Sequence, residues 1–396
     1  MAVTRPVIRL RPKEGRRVRA GAPWVFSNEV VMDGAAKALT PGTLVRLVQA
    51  DGTPLGTGYF NPKSLIAMRM LSADANAEIG DAFFAEKFKQ ALSLREALFE
   101  KPYYRLVHAE GDFLPGLAID RFGDTLAVQV TTAGMEQLLD SMLAAIDQVI
   151  APAHVVLRND APSRTLEGLE LYVRAAKGEP PARVTVEENG TRYFADPMGG
   201  QKSGWYYDQR ENRAFMAKLA RSARVLDAYC YTGGFGILAG LNGAREVTGI
   251  DSSEPALSLA AESARENNVS NICNFKKADV LDELERLNAA GEKFDIVVCD
   301  PPPFVRARKD LEAGARAYRK LARLAAGVTA PGGFLMLCSC SHNIPAERFG
   351  LECGAGIARA GRTAALIRSA GAGADHPVHP MLPESAYLKA LAYRLG

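Results

Sequence analysis

A glycine-rich turn and a following carboxylate are the first residues whose spacing could bind a cofactor. The run 227–236 follows an apolar segment, and its paired glycines, Gly233 and Gly234, allow a backbone to approach a ligand closely. Residues 234–239 also match the dinucleotide fingerprint G-x-G-x-x-A. Asp251 ends the next apolar segment, where a carboxylate can accept both ribose hydroxyls of an adenosine. These residues predict a site for NAD or S-adenosylmethionine; the alternative is a tight turn without a ligand.

Two later acidic residues favour S-adenosylmethionine. Asp279 follows a strand-like run, where it could bond an adenine amino group. Asp300 ends an apolar run and precedes three prolines, each of which fixes its φ. Such a rigid loop can hold a flat base beside a sulfonium methyl group, although proline stiffening without a ligand is the alternative. The residues predicted to contact the cofactor in these turns are Asp227, Tyr229, Tyr231, Thr232, Gly233, Gly234, Phe235, Asp251, Ser252, Asp279 and Asp300.

The residues after Asp300 bear on the kind of methyl transfer. Enzymes that methylate a base amino group use a related loop, with an aromatic residue directly after two prolines to stack the base. Here Pro303 intervenes and Phe304 comes one position later. This departure argues against amino methylation.

Cys340 indicates methylation at carbon instead. It stands between two serines at the end of a strand-like run. Pyrimidine C5 is a poor nucleophile, and a thiolate that adds to C6 makes C5 able to attack a methyl sulfonium. The alternative is a buried cysteine that acts as a small apolar side chain, which we expect for Cys273, Cys299 and Cys338.

These residues need a framework of alternating strands and helices, which begins after about residue 196. A helix is predicted over 254–267. Repeated strand–helix units with apolar strands predict a parallel, doubly wound sheet whose ligands lie at the carboxyl ends of the strands. The predicted strands are 224–228, 246–251, 274–278, 294–300 and 333–339.

Two smaller domains are predicted to precede this one. Residues 1–74 alternate apolar and polar positions in short runs, and the runs 44–48 and 55–60 flank an Asp-Gly turn that is typical of a hairpin. This segment is predicted to be a small β-barrel. Residues 75–195 combine helical and strand-like runs and are predicted to form a separate α+β domain.

The composition is that of an ordinary globular protein: 396 residues, 47% hydrophobic and 23% charged. A net charge of +3 does not by itself indicate nucleic-acid binding. The charge is concentrated at the amino terminus, which predicts a solvated arm or, as the alternative, a phosphate-facing patch. Its residues are Arg5, Arg9, Arg11, Lys13, Arg16, Arg17 and Arg19 against a single acid, Glu14.

The chain has no secretory pattern and no run of about eighteen apolar residues, so we expect no membrane association. The six cysteines form no C-x-x-C pair and the five histidines are scattered, which argues against a metal site. We expect free thiols in the reducing cytoplasm.

Several stretches together make the chain resemble a known family. It is similar, nearly end to end, to the bacterial 23S rRNA cytosine-C5 methyltransferases that have an amino-terminal PUA domain. The stretches that carry this resemblance are 114–117, 120–123, 200–210, 231–235, 300–302, 339–341, 375–377 and 387–389.

The resemblance implies a fold, a cofactor and a partner. It implies an α/β class I methyltransferase domain with a Rossmann-like sheet over 196–396, a PUA-like barrel over 1–74 and a central α+β domain over 75–195. S-adenosylmethionine is the implied cofactor and large-subunit rRNA the implied partner. Cys340 is then the nucleophile, and Asp300 lies near the target base.

The segment before the sheet is implied to close over the cofactor through Asp208, Gln209 and Arg210. The alternative is that Asp208 and Arg210 cap a helix that begins near Glu211. The family usually has a lysine where this chain has Pro303, so the target nucleotide stays open. His376 could be a general base, but we expect a loop anchor.

Other functions remain as alternatives. A related methyltransferase could modify guanine or uracil, and the fingerprint alone would fit an NAD-dependent oxidoreductase. An RNA-binding protein with an inert methyltransferase fold is opposed by the intact Asp251, Asp300 and Cys340. The oligomeric state is also open, with a homodimer among the arrangements considered.

Overall fold

The computed structural model describes residues 5–201 and 203–396, which divide into two compact units. The first unit contains the residues up to Val184 together with 196–204 and 374–385. The second contains 185–195, 205–373 and 386–396. The sequence predicts three domains with boundaries at residues 74 and 195. A division into compact units does not test which segments fold independently, so these boundaries stay predictions.

The first unit begins with a five-stranded sheet in the order β1-β3-β4-β5-β2. Strands β3 and β4 pair antiparallel, so the predicted hairpin is confirmed. Ile8, Val45 and Phe60 are fully buried in the core of this sheet. Its elements are β1 (Val7–Arg9), α1 (Arg16–Arg19), β2 (Trp24–Val25), α2 (Gly34–Ala38), β3 (Thr43–Val48), β4 (Pro54–Phe60) and β5 (Met68–Ser72).

The basic amino-terminal segment is folded, with strand β1 in this sheet and helix α1 after it, so the expectation of a solvated arm is wrong for residues 5–19. Strand β1 pairs in parallel with β3, and Ile8 and Leu10 are buried. Because side chains alternate between the two faces of a strand, the intervening Arg9 and Arg11 are exposed.

The rest of the first unit is a second five-stranded sheet, in the order β10-β9-β8-β7-β6, against which helices pack. Leu106, Ile119 and Val128 are fully buried between the sheet and the helices. The elements are α3 (Asp81–Leu98), β6 (Tyr103–His108), β7 (Leu117–Phe122), β8 (Thr125–Val130), α4 (Ala133–Gln137), α5 (Leu139–Val149), β9 (His154–Asn159) and β10 (Tyr172–Lys177).

The second unit contains the predicted Rossmann-like sheet, with seven strands in the order β15-β14-β13-β16-β17-β19-β18. A hairpin of β11 and β12 precedes it in sequence. The elements are β11 (Val184–Glu188), β12 (Thr191–Ala195), α6 (Arg210–Ala217), β13 (Arg224–Ala228), α7 (Gly234–Leu241), β14 (Glu246–Asp251), α8 (Glu254–Glu266), β15 (Cys273–Lys277), α9 (Val280–Ala289), β16 (Phe294–Cys299), α10 (Leu311–Val328), β17 (Thr329–Ser339), α11 (Ala346–Arg359), β18 (Ala364–Ala370) and β19 (Lys389–Leu395).

The central strands are apolar along their length because helices cover both faces of the sheet. Leu226 and Val297 face one buried cluster, and Val225 and Val298 face another. This is the pattern expected of a parallel sheet buried on both sides. None of the helices in the described residues is both long and apolar enough to cross a bilayer.

The prediction of an entirely parallel sheet is wrong at one edge. Strand β19 pairs antiparallel with β17, and β18 pairs antiparallel with β19. Antiparallel edge strands are common on otherwise parallel sheets. Because β19 runs in the opposite direction, its first residue, Lys389, lies opposite Ser339, the last residue of β17.

Candidate active site

The turn between β13 and α7 has a constrained backbone. Tyr229 and Tyr231 have φ values of 64° and 50°, a region that non-glycine residues rarely adopt. Gly233 has a φ of 80°, and a Cβ there would lie 2.9 Å from Ile237 Cδ1. Gly236 lies inside α7, where a Cβ would come within 2.8 Å of Val247 Cγ1. The glycines therefore allow the turn and the close packing of helix on strand.

Asp227, near the end of β13, joins this turn to the first turn of α7. Its carboxylate is 1% exposed and accepts a hydrogen bond from the Gly236 N–H at 2.8 Å. Burial raises the pKa of Asp227 to about 7, and the charge of Asp300 acts in the same direction. The structure thus places Asp227 beneath the turn, against α7.

Asp251 ties the turn to the next strand. One carboxylate oxygen accepts from the Tyr231 N–H at 2.9 Å, and the other accepts from the Ser253 N–H at 2.9 Å. An ionised carboxylate offers about four acceptor sites, so these bonds leave capacity for ribose hydroxyls. The neighbouring Ser252 is exposed.

Asp279 is exposed and caps helix α9. One of its oxygens accepts from the N–H groups of Leu281 and Asp282, at 2.8 and 3.1 Å. Burial raises the pKa of the half-buried Tyr229, and the charges of Asp279 and Asp251 add to this shift. Asp279, Tyr229 and Asp251 therefore lie in one neighbourhood.

These residues fit an adenosyl cofactor. Thr232 is 1% exposed, and its hydroxyl has no hydrogen-bond partner within the described chain. A buried hydroxyl of this kind is costly unless a ligand satisfies it. Thr232 follows Tyr231, whose φ is positive, and precedes Gly233, the N-cap residue of α7. Phe235, the next predicted contact, is the second residue of α7 and is buried in the cluster that also contains Val225 and Val247.

Asp208, Gln209 and Arg210 lie at the start of helix α6. The N-cap residue of this helix is Gln209, which makes no side-chain capping hydrogen bond. Asp208 is 4% exposed and accepts a hydrogen bond from the Tyr387 hydroxyl at 2.5 Å. Arg210 Nε lies 3.8 Å from Glu188 Oε2. The side chain of Gln209 is buried.

Tyr206 is a site residue that its sequence pattern alone does not identify. Its ring packs edge-on against Tyr231, with ring centroids 5.3 Å apart. Burial raises its pKa above the usual range, and the charges of Tyr231, Asp300, Asp208 and Cys340 add to the shift. Tyr206 therefore lies among the predicted cofactor and catalytic residues.

Asp300 and Cys340 follow the ends of the neighbouring strands β16 and β17. Tyr318 joins the two loops: its hydroxyl accepts from Ser339 Oγ at 2.8 Å and lies 3.1 Å from Ser341 Oγ. The Phe304 N–H donates to the same hydroxyl at 3.4 Å, and the Phe304 ring packs on Tyr318. Phe304 is thus engaged with α10.

Cys340 is less buried than the cysteines within the neighbouring strands β16 and β17. It is half-buried, whereas Cys299 and Cys338 are fully buried as expected. Burial raises the pKa of both Cys299 and Cys338 above the ordinary range. Cys273 is only partly buried, which corrects the expectation for that residue, but burial still raises its pKa to about 12.

His376 lies in the first unit, where it is 5% exposed. Its Nδ1 lies 2.8 Å from an Asp375 oxygen, and Asp375 also accepts from the Arg105 N–H at 2.9 Å. This contact with a buried carboxylate supports the role of a loop anchor.

Comparisons with known proteins agree with this arrangement. A PUA-like domain matches residues 8–73, and an S-adenosylmethionine-dependent methyltransferase matches residues 128–394. Ribosomal RNA large subunit methyltransferase I of Klebsiella pneumoniae is 35% identical over 94% of both chains. The protein of the same name from Tolumonas auensis is 36% identical over 94% of this chain and 95% of that relative.

Two solved structures share the fold. SMU.776, described as a methyltransferase and crystallised with SAH, has a TM-score of 0.85 at 20% identity and covers 98% of this chain and 100% of that one. A SAM-dependent methyltransferase from Streptococcus mutans has a TM-score of 0.83 at 19% identity, with the same coverage. At this identity the likeness shows the fold alone.

The family matches overturn the alternative of an NAD-dependent oxidoreductase, because they extend over the G-x-G-x-x-A run and the strands around it. The prediction of a Rossmann-like methyltransferase domain preceded by a PUA-like barrel is confirmed. The chain belongs to the S-adenosylmethionine-dependent methyltransferase family, and S-adenosylmethionine is its cofactor.

Proposed function

We propose that the chain methylates C5 of a cytosine in large-subunit rRNA, with Cys340 as the nucleophile. Relatives named for activity on this RNA align with 94% of the chain, which supports the choice of substrate. One observation carries the choice of mechanism. The half-buried Cys340 and Asp300 follow the carboxyl ends of the adjacent strands β17 and β16. The cofactor turn follows the carboxyl end of β13, the next strand of the sheet.

The cofactor is held by the residues of that turn and its neighbours. Asp251 accepts the ribose hydroxyls, the hydroxyl of Thr232 bonds the ligand, and Asp279 lies on the adenine side. Asp208, Gln209 and Arg210 close the site from the start of α6. When bound, S-adenosylmethionine supplies an electrophilic methyl group.

Cys340 and Asp300 act on the base. The Cys340 thiolate adds to C6, forming a C–S bond and moving the C5–C6 π electrons toward C5. Asp300 hydrogen-bonds the cytosine near N3 and C4 and helps it accept this electron density. After C5 is methylated, a base removes the C5 proton. Its electron pair restores the C5–C6 double bond and expels the Cys340 thiolate.

A second candidate is a guanine or uracil target. Pro303 stands where the resembled family usually has a lysine, so this chain has no basic side chain at that position. Such a change could alter which base is accepted without changing the cofactor site.

Mapping of rRNA modifications by mass spectrometry tests the function. Large-subunit rRNA from cells with the protein should contain a 5-methylcytosine that is absent without it and absent with Cys340→Ala. A protein-dependent methyl group on guanine or uracil would instead support the second candidate. A modification that persists without the protein would contradict both.

A further inference from the structure

Lys389 is a buried lysine beside Cys340 that has no role in the methyl transfer proposed for Cys340 and Asp300. It is 8% exposed and begins strand β19. Its backbone pairs with Ser339, the residue before Cys340. A lysine is rarely buried without a specific partner or task, so its position at the end of β17 requires an explanation.

The contacts of Lys389 bind it to the turn that contains Cys340. Its Nζ donates to the Ser341 carbonyl oxygen at 2.5 Å and to the Tyr387 carbonyl oxygen at 2.8 Å. These bonds join the residue after Cys340 to the start of β19. Both acceptors are uncharged, so they do not neutralise the positive charge of the ammonium group.

The charges of Lys389 and Cys340 affect each other. Burial lowers the pKa of Lys389 to about 8, and a negative charge on Cys340 opposes this shift. The thiolate of Cys340 is therefore within electrostatic reach of the ammonium group. By reciprocity, the positive charge of Lys389 favours the thiolate.

Several titratable groups surround Cys340 on the neighbouring elements. Tyr206, Tyr318 and Cys338 each lie within reach of its charge, and burial raises the pKa of all three, which keeps them neutral at pH 7.

Two more elements contribute groups at this end of the sheet. Asp300, which follows the end of the neighbouring strand β16, raises the pKa of Cys338 and is thus a source of negative charge here. His342 packs on Tyr387, with ring centroids 5.2 Å apart.

We propose that Lys389 is a positioning residue that holds the Cys340 turn and, as an ammonium ion, maintains Cys340 as a thiolate. A thiolate is the reactive form of cysteine, and a nearby cation lowers its pKa from the ordinary value of about 8.5. The proposal rests on the proposed function for its purpose, but the thiolate can be measured without RNA or methyl transfer.

The test is the pH dependence of Cys340 alkylation by iodoacetamide, followed by peptide mass spectrometry on the full chain. Lys389→Gln keeps two N–H donors but removes the charge, whereas Lys389→Arg keeps the charge. We expect Lys389→Gln to lower the rate at pH 7 about tenfold and to raise the midpoint by about one pH unit. Lys389→Arg should stay within about twofold of wild type.

Lys293→Gln is the matched control. Lys293 is an exposed lysine that also donates to a backbone carbonyl, but it precedes β16 and so lies at the opposite end of the sheet. Its replacement should leave the alkylation profile unchanged. Calorimetry with S-adenosylhomocysteine checks that each variant is folded.

Three results would overturn the proposal. The first is a midpoint of wild-type Cys340 alkylation at or above about pH 8.5. The second is a Lys389→Gln variant whose alkylation has the same pH dependence as wild type. The third is an equal loss of alkylation rate in Lys389→Gln and Lys389→Arg. The first result is measured on the wild-type chain, so the proposal can be tested even if Lys389→Gln does not fold. None of these measurements depends on the target base, so failure of the rRNA experiment is distinguishable from failure here.

Discussion

Asp251 combines two tasks in one carboxylate. It fixes the backbone of the cofactor turn through Tyr231 and Ser253, and it is proposed to accept the ribose hydroxyls. The sequence could predict the second task, because an acidic residue that follows the glycine-rich turn by about 20 residues commonly bonds a ribose hydroxyl in sheets of this kind. The first depends on the fold of the turn.

Asp251→Ala should weaken S-adenosylhomocysteine binding about tenfold to a hundredfold. The loss corresponds to charge-assisted hydrogen bonds of roughly 1.5–3 kcal/mol. Calorimetry measures it, with Ser258→Ala, at an exposed position on helix α8, as the control. Unchanged affinity in Asp251→Ala would remove Asp251 from the cofactor site.

Asp227 should make stability depend on pH. Its pKa is about 7 in the folded chain and about 3.9 in an unfolded one. The carboxyl therefore stabilises the fold fully only below about pH 4, and this contribution is lost as the pH rises toward 7 and above.

Urea unfolding between pH 5 and 8 tests this effect. Asp227→Asn keeps an acceptor for the Gly236 N–H and should remove the decline in stability that wild type shows over this range. Asp282→Asn, at an exposed position, should retain the wild-type decline. A decline of equal size in Asp227→Asn would contradict the assigned pKa.

Lys389 and Tyr206 show what residue patterns could not reveal. Tyr387-Leu388-Lys389 contributes to the family resemblance, but its residue pattern indicates no role for Lys389. Its position beside Cys340 follows from the antiparallel pairing of β19 with β17, a long-range contact with no local sequence signature.

At the scale of elements, the β11–β12 hairpin braces the cofactor turn. Glu188 on β11 accepts from Arg213 at 2.6 and 3.1 Å and from Trp205 Nε1 at 3.2 Å. On β12, the Tyr193 hydroxyl donates to the Gly234 carbonyl at 3.1 Å. The hairpin and helix α6 thus support the turn through a buried ion pair.

Glu188→Gln should destabilise the chain by about 3–5 kcal/mol, because it leaves the charge of Arg213 buried without its counter-ion. Urea unfolding at pH 7 measures the change. Glu285→Gln is the control, since Glu285 and Lys320 form a half-exposed pair for which about 0–1 kcal/mol is expected. Equal losses in the two variants would show that the buried pair has no special role.

Predictability differed between elements for a physical reason. Strands β13, β14 and β16 are apolar and largely buried, so their positions agree with the sequence prediction to within a residue. Strand β18 is mostly exposed, and β19 begins with a lysine. Neither pattern identifies a strand without the neighbour it pairs with.

At the scale of the whole molecule, the basic amino-terminal segment is part of the PUA-like domain and is proposed to contact RNA phosphates. Arg16 is exposed and Arg17 lies over the Phe26 ring at 5.5 Å. Phosphate contacts release counterions, so affinity should fall as salt rises, with a slope of about 0.7–0.9 per contact.

Reversing the charges of Arg16 and Arg17 to Glu should reduce this slope while cofactor binding is unchanged. RNA binding measured over a range of salt concentrations tests it. Arg245→Glu with Lys293→Glu makes the same change in net charge elsewhere and should leave the slope unchanged. An unaltered slope in the Arg16 and Arg17 variant would exclude this segment from the RNA contact.

The most direct test of the proposed chemistry is covalent trapping by RNA that carries 5-fluorocytosine at the target position. Fluorine at C5 cannot leave as a proton does, so the Cys340 adduct should persist after methyl transfer and map to Cys340 by peptide mass spectrometry. Cys338→Ala, two residues earlier and within strand β17, should still be trapped, whereas Cys340→Ala should form no adduct and transfer no methyl group. Appreciable methylation by Cys340→Ala would contradict the mechanism and point to a base nitrogen that needs no thiol.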